Sequence, residues 1–140
     1  MPQKEILEQQ YAELVFYGLD TLADIRLNGE FLASVDNMHR TWRLPVAGKL
    51  KKDENHLEIT FRSSLRYIRE KGQDPLIHYV AKGCIRGNNF LRKAHCMFGW
   101  DWGPQLPDTG IWRPVELCAF SGARIADIRV KQEHCAGTVS

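Results

Sequence analysis

Alternation of apolar and polar residues with a period of two dominates this chain and limits what it can fold into. Ala23, Ile25 and Leu27 alternate with polar side chains, which predicts a strand with one buried face and one wet face. Asn28 and Gly29 follow directly, and this pair favours a tight hairpin because both residues tolerate a positive φ. The pattern therefore predicts β-sheets made of short strands joined by tight turns.

The same pattern predicts further strands along the chain. We expect them at residues 13–19, 31–35, 41–46, 56–62 and 111–120, with Val115, Leu117 and Ala119 on one face. Pro45 cannot donate a ladder hydrogen bond, so its strand is predicted to lie at a sheet edge or to end there. Short strands at close spacing predict an all-β fold, and specifically a β-sandwich. After residue 123 the phase shifts, which fits a bulge or a strand that enters a new domain.

The middle of the chain departs from this pattern. Residues 63–71 predict a short basic helix, because Leu65 and Ile68 stand three positions apart. Residues 72–89 are rich in glycine and mixed polar side chains and predict a long loop, and loops of that length are usually functional or disordered. The first ten residues are expected to be helical or frayed.

The composition excludes several classes of partner. No apolar run approaches 18 residues, so neither a membrane span nor a membrane partner is expected. The 19 basic residues and 17 acidic residues are too evenly balanced to demand a nucleic acid. We interpret the basic residues of the middle segment as a solvated face: Arg62, Arg66, Arg69, Lys71, Arg86, Arg92 and Lys93.

The number and spacing of the cysteines indicate the redox compartment. Four are present, at positions 84, 96, 118 and 135. None forms a Cys-x-x-Cys pair, and the histidines beside two of them are not grouped as zinc ligands are, so no metal site is expected. We expect reduced, mostly half-buried thiols in a cytoplasmic protein, with one disulfide as the main alternative. The start of the chain lacks the basic-then-apolar order of a secretory signal.

A cluster of tryptophans around a carboxylate is the strongest functional signal. Trp100 and Trp102 flank Asp101, within a segment framed by glycines and prolines. Aromatic faces stack on the apolar face of a pyranose, and a carboxylate accepts hydrogen bonds from sugar hydroxyls, so the combination predicts carbohydrate binding. The alternative is that these tryptophans, with Trp112, are core residues that anchor a loop.

Catalytic machinery is not found in the sequence. The nucleophile-elbow, zinc-protease and phosphate-loop motifs do not occur, and no glutamate lies in a promising loop. We therefore assign no catalytic residue and expect no cofactor. A second polar cluster, residues 36–40, either lines a site or forms an Asx turn, which is the commoner role of Asn and Asp between two strands.

Several motifs resemble a known family. Residues 14–29 and 36–42 resemble the N-terminal sugar-binding sandwich of glycoside hydrolase family 2. Later motifs narrow the resemblance to the β-mannosidase branch: Arg-Lys-Ala at 92–94, Phe-Gly-Trp-Asp-Trp-Gly-Pro at 98–104 and Gly-Ile-Trp-Arg-Pro-Val at 110–115. The Trp-Asp-Trp-Gly-Pro part is the specific one. The resemblance covers residues 13–131 and implies a jelly-roll, galactose-binding-domain-like sandwich.

The resemblance also implies roles for residues and partners. Asp101 would hydrogen-bond sugar hydroxyls, Trp100 and Trp102 would shape the pocket wall, and Arg92 and Arg113 would brace the loop. In that family both catalytic glutamates lie on a (β/α)8 barrel, which this chain lacks. The implied partners are a β-mannoside with a terminal non-reducing β-D-mannose and the missing barrel domain, and the chain is expected to be inactive alone.

The family pattern also suggests how the chain is divided. We expect an N-terminal extension at 1–12, a partial sandwich at 13–122, and a linker or the start of an immunoglobulin-like domain at 123–140. Such a chain would be truncated at both ends, with exposed strand edges that a second copy covers as a homo-oligomer. Two other functions remain open, a free-standing carbohydrate-binding module and a structural interaction domain.

Overall fold

The computed structural model describes residues 3–72, 82–100, 103–135 and 138–139. The strands are β1 (Tyr11–Phe16), β2 (Leu19–Asp20), β3 (Ala23–Leu27), β4 (Glu30–Val35), β5 (Trp42–Pro45), β6 (Leu57–Phe61), β7 (Gly110–Ile111), β8 (Val115–Phe120), β9 (His134–Cys135) and β10 (Thr138–Val139). The helices are α1 (Gln3–Leu7), α2 (Ser64–Lys71) and two 3-10 helices, Asn88–Phe90 and His95–Phe98.

Two three-stranded antiparallel sheets form the body of the domain. One has the strand order β5-β1-β8 and the other β4-β3-β6. Leu14 and Phe16 of the first sheet and Ile25, Leu27 and Val35 of the second belong to one buried cluster. The two sheets therefore pack face to face around a shared core, which confirms the predicted all-β sandwich.

The predicted hairpin between β3 and β4 is present. Asn28 has a φ of 55° and Gly29 a φ of 86°, as a two-residue hairpin turn requires. Strand β5 lies at the edge of its sheet and ends at Pro45, so both outcomes expected of that proline occur.

A bulge in β4 changes which face its first residues occupy. Ile25 pairs with Ala33 but Arg26 pairs with Phe31, so one residue of β4 is unmatched. A regular strand would place Phe31 on the face of Ala33 and Val35. Instead Phe31 is half exposed, and the Arg26 guanidinium lies 5.7 Å from the centre of its ring.

Helix α2 confirms the predicted helix of the middle segment. The Ser63 hydroxyl caps it by accepting a hydrogen bond from the backbone N–H of Arg66. Ile68 is buried against Leu22 and Phe98 in a second, smaller core. Of the predicted loop at 72–89, residues 73–81 lie outside the described residues, and the part from 82 onward forms turns and the start of a 3-10 helix.

The last predicted strand, 111–120, is divided in two. β7 pairs with β2 and β8 pairs with β1, and Pro114 lies between them, where a residue without an N–H interrupts the ladder. The phase shift after residue 123 produces neither a bulge nor a strand in residues 121–133, because no neighbouring strand pairs with this segment in the described structure. Its apolar residues are exposed: Ile125, Ile128 and Val130.

Candidate functional site

A completely buried lysine lies where three parts of the chain meet. The ammonium group of Lys93 forms an ion pair with the carboxylate of Asp20, and the two side chains are 0% and 5% exposed. The same nitrogen donates a hydrogen bond to the backbone carbonyl of Asp108 at 2.6 Å. The lysine ammonium, the Asp20 carboxylate and the Asp108 carbonyl form a unit, the Lys93 clamp.

Short strand pairing brings the clamp residues together. Leu19 pairs with Ile111 and Asp20 with Gly110, so the end of β2 lies beside the segment that carries Asp108. The hydroxyl of Thr21 donates to the Asp20 carboxylate oxygen that does not face the lysine. The carboxylate therefore has a partner on each oxygen, which a buried charge requires.

Loop 94–107 is attached to residues 83–85 at several points. The thiol of Cys84 donates to the carbonyl of Gly99 at 2.6 Å, and the amide side chain of Gln105 donates to the carbonyl of Gly83 at 2.8 Å. The backbone N–H of Ile85 donates to the carbonyl of Phe98 at 2.9 Å. The loop is thus held by hydrogen bonds to its neighbour, not only by its own turns.

Gly99 is needed for this close approach. Its φ of +97° lies in the left-handed region, and a Cβ there would lie 2.5 Å from the Cγ of Gln105. Any larger residue at this position would push away the side chain that ties the loop to Gly83.

The three predicted site residues lie on this loop, and the structure describes one of them. Trp100 is 44% exposed, and its backbone is bridged to Gly103. Asp101 and Trp102 lie outside the described residues, so the predicted grouping of the three stays a prediction. The exposure of Trp100 is greater than expected for a tryptophan that anchors a core.

A cavity of about 180 Å³ lies between the clamp and Trp112. The lining includes Asp108, Thr109 and Trp112, whose carboxylate, hydroxyl and indole are groups that carbohydrate sites use. The lining residues are Asp20, Met97, Asp108, Thr109, Gly110, Ile111 and Trp112.

The sequence did not identify the clamp. Lys93 was expected on a solvated face, and this was wrong, because its side chain is fully buried with Asp20 as counter-ion. The usable signal was local: Lys93 follows a buried leucine by two positions, within the segment that precedes the tryptophan cluster. Position alone did not reveal its partners, since Asp20 is 73 residues away.

Other residues singled out from the sequence make contacts outside loop 94–107. The Arg113 guanidinium lies 4.1 Å from the centre of the Trp112 ring, and its bracing of the loop stays a prediction. The backbone carbonyl of Arg92 accepts a hydrogen bond from the N–H of Met38 at 2.9 Å. Within the polar cluster at 36–40, the side chain of Asn37 accepts from the N–H of His39 at 2.9 Å, which is the expected Asx turn.

A tyrosine beside this region has a perturbed pKa. The hydroxyl of Tyr17 donates to a carboxylate oxygen of Glu116 at 2.9 Å. This hydrogen bond holds the phenol in its neutral form and raises the pKa of Tyr17 above its ordinary value of 10.0, and the negative charge of Glu116 acts in the same direction.

The described part of the chain forms none of three other classes of feature: a disulfide, a metal cluster or a membrane-spanning helix. Cys84 is buried, Cys118 is half-buried and Cys96 is exposed, and none of the three forms a disulfide there. No three His, Cys, Asp or Glu side chains among the described residues are grouped as metal ligands are. No helix in the same ranges has the length and apolar character needed to cross a membrane.

Comparison with known proteins places this geometry in context. Residues 1–113 match a family model described as glycosyl hydrolase 2 galactose-binding domain-like. The β-mannosidase of Mus musculus is 34% identical over 125 residues, which are 84% of this chain and 14% of that protein. β-Mannosidase B of Aspergillus terreus is 39% identical over 117 residues, which are 82% of this chain and 14% of that protein.

A solved structure also resembles this chain along most of its length. The β-D-mannosidase of Dictyoglomus thermophilum superposes with a TM-score of 0.84 at 36% identity. The match covers 95% of this chain and 16% of that one. The chain therefore spans about one seventh of the length of the relatives it matches.

Proposed function

Because this chain belongs to the glycosyl hydrolase 2 galactose-binding domain-like family, we propose that it is the sugar-binding sandwich of a β-mannosidase-like enzyme. The observation that carries the proposal is the match to β-mannosidases at 34% to 39% identity across more than four fifths of the chain. The structural likeness to a β-D-mannosidase over 95% of the chain supports the same assignment.

The proposed reaction is hydrolysis of a terminal, non-reducing β-D-mannose. It would proceed with retention through a covalent glycosyl-enzyme intermediate, which needs two carboxylates about 5–5.5 Å apart. Neither carboxylate is assigned to this chain, and both belong to a catalytic barrel elsewhere in the parent protein. The chain alone is therefore proposed to be inactive.

The chain's own contribution is one wall of the mannose subsite, formed by Trp100, Asp101 and Trp102. The exposure of Trp100 supports this role, since a ring that stacks on sugar must face solvent before the sugar binds. The hydrogen bonds from residues 83–85 also support it, because a loop that is already ordered loses less entropy when it binds.

A free-standing carbohydrate-binding module is the second candidate, favoured by the cavity of about 180 Å³ beside the loop. Two measurements on the isolated chain separate the candidates. The enzyme-domain proposal predicts no turnover of an aryl β-mannoside and no strong heat of binding in a calorimetric titration with mannose. Saturable binding that is lost in Trp100→Ala would support the module instead, and turnover lost in Asp101→Ala would contradict the need for a barrel.

The proposal includes assembly through strand edges. β8 and β6 are edge strands of their sheets in the described structure, and Leu117 of β8 and Leu57 of β6 are exposed. A second copy would cover them in a homo-oligomer, in a cytoplasmic setting that keeps the exposed Cys96 thiol reduced. Size-exclusion chromatography with light scattering tests this, and a monomer at high concentration would contradict it.

A further inference from the structure

Lys93 carries a charge into a fully buried position, which proteins rarely do. Taking both charges of the pair out of water costs free energy, and their attraction offsets that cost only with good geometry and further hydrogen bonds. Replacing such a pair by apolar residues is often neutral for stability. The pair is therefore better explained by what it holds in place than by its contribution to folding.

What Lys93 holds in place is the base of loop 94–107. Lys93 immediately precedes the loop and Asp108 immediately follows it, so the bond between the Lys93 ammonium and the Asp108 carbonyl joins the two ends across 15 residues. The ion pair with Asp20 then fixes this closed base to the end of β2. Trp100 lies on the loop that is closed in this way.

The other hydrogen bonds of the loop act at different points. Gly83 is bonded to Gln105, Cys84 to Gly99 and Ile85 to Phe98. All three bonds therefore attach positions inside the loop and not its two ends. Among the described residues, the Lys93 clamp joins the two ends of the loop with a single charged group. Fixing the ends lowers the conformational entropy that the loop retains.

We propose that Lys93 is a positioning residue that closes the base of loop 94–107 and fixes it to β2. It keeps the part of the loop that carries Trp100 ordered before a sugar arrives, and it does not itself touch the sugar. The use of the loop for sugar binding rests on the function proposed above, whereas the closure of the loop does not.

The test is hydrogen exchange on the 140-residue chain carrying Asp20→Asn together with Lys93→Met. The double variant removes both charges, so no unpaired charge stays buried and the sandwich should still fold. The backbone amides of Met97, Gly99 and Asp108, which are hydrogen-bonded within the loop and at its base, are expected to exchange about tenfold faster or more, while those of β1 and β3 keep their wild-type rates. The matched control is Asp24→Asn with Arg62→Met, which removes an exposed pair with a distance of 3.6 Å and should leave the loop unchanged.

Wild-type exchange of the Met97, Gly99 and Asp108 amides in a folded double variant would overturn the inference. If the double variant does not fold, hydrogen exchange of the wild-type chain tests the proposal instead. The Asp108 and Trp112 amides should then exchange far more slowly than those of the exposed segment 125–130, and equal rates would overturn the proposal.

No sugar is present in these measurements, so their outcome is independent of the proposed function. Absence of any sugar-binding role would contradict the proposed function and leave the closure standing. Unchanged exchange of the loop would contradict the closure and leave the proposed function standing.

Discussion

The indole of Trp112 lies directly on the backbone of Gly18. A Cβ atom at position 18 would lie 2.5 Å from the indole Nε1, a distance that real Cβ atoms do not show. The backbone N–H of Trp112 also donates a hydrogen bond to the backbone carbonyl of Gly18 at 3.2 Å. This contact attaches the segment after the cavity to the end of β1, on the side of the molecule where the candidate site lies.

Gly18→Ala is therefore expected to displace Trp112 and to lower the free energy of unfolding by about 1–3 kcal/mol, as overpacking does. Chemical denaturation monitored by tryptophan fluorescence measures the change. Gly103→Ala is the control, since nothing lies within 4 Å of a Cβ built there, and it should change stability by less than about 0.5 kcal/mol. Equal effects of the two substitutions would contradict the close contact.

Lys93→Met alone should be strongly destabilising. It leaves the Asp20 carboxylate buried without its counter-ion, and such losses amount to about 3–5 kcal/mol. Lys49→Met removes an ion pair with Glu30 at the surface and should cost less than about 1 kcal/mol. Urea denaturation of both variants tests the difference, and a loss for Lys93→Met no larger than for Lys49→Met would show that Lys93 is not a buried partner.

Tyr17 should titrate above the ordinary tyrosine pKa of 10.0. Its raised pKa means that the folded state binds the phenolic proton more tightly than the unfolded state, so this contribution to stability is present below about pH 10 and is lost as the pH rises through the folded pKa. In Glu116→Gln the pKa should fall toward 10.0 and the alkaline loss of stability should shrink.

Ultraviolet titration of the tyrosinate band measures the pKa of Tyr17. Glu58→Gln is the control, because Glu58 is exposed on β6 and its carboxylate accepts a hydrogen bond from the Thr60 hydroxyl at 3.4 Å. An unchanged Tyr17 titration in Glu116→Gln would show that the hydrogen bond between these side chains is not the cause.

The stability of Trp100→Ala shows whether Trp100 is a site residue or a core residue. Because Trp100 is 44% exposed, its removal should cost less than about 2 kcal/mol, whereas Phe98→Ala, in the buried second core, should cost about 3–5 kcal/mol. Thermal unfolding followed by circular dichroism compares the two. A loss as large for Trp100 as for Phe98 would favour the structural interaction domain over a sugar-binding role.

Local patterns predicted the sandwich well, because the period of two and the turn residues are properties of neighbouring positions. The hairpin at Asn28 and Gly29 and the edge strand that ends at Pro45 are examples. The bulge that turns Phe31 outward was not predicted, since it depends on the register between β3 and β4.

The candidate site was predicted in part. The tryptophan cluster was visible in the sequence, and the loop that carries Trp100 has several anchoring hydrogen bonds and contributes Met97 to the lining of the cavity. The role of Lys93 was not visible, because a lysine becomes a buried partner only through residues brought to it by folding. Asp20 reaches it through the pairing of β2 with β7, which are two-residue strands with little sequence signal.

The most direct test of the central claim places this sandwich in a working enzyme. The matching segment of the Dictyoglomus thermophilum β-D-mannosidase, 36% identical, is replaced by this chain, and kcat/KM is measured for an aryl β-mannoside. The chimera should hydrolyse it, and Asp101→Ala should lower kcat/KM roughly 10- to 100-fold, as loss of charged hydrogen bonds to sugar hydroxyls would. Asp127→Ala, on the exposed segment after the sandwich, is the control and should leave kcat/KM unchanged. An active chimera whose kcat/KM is the same with and without Asp101→Ala would contradict the account.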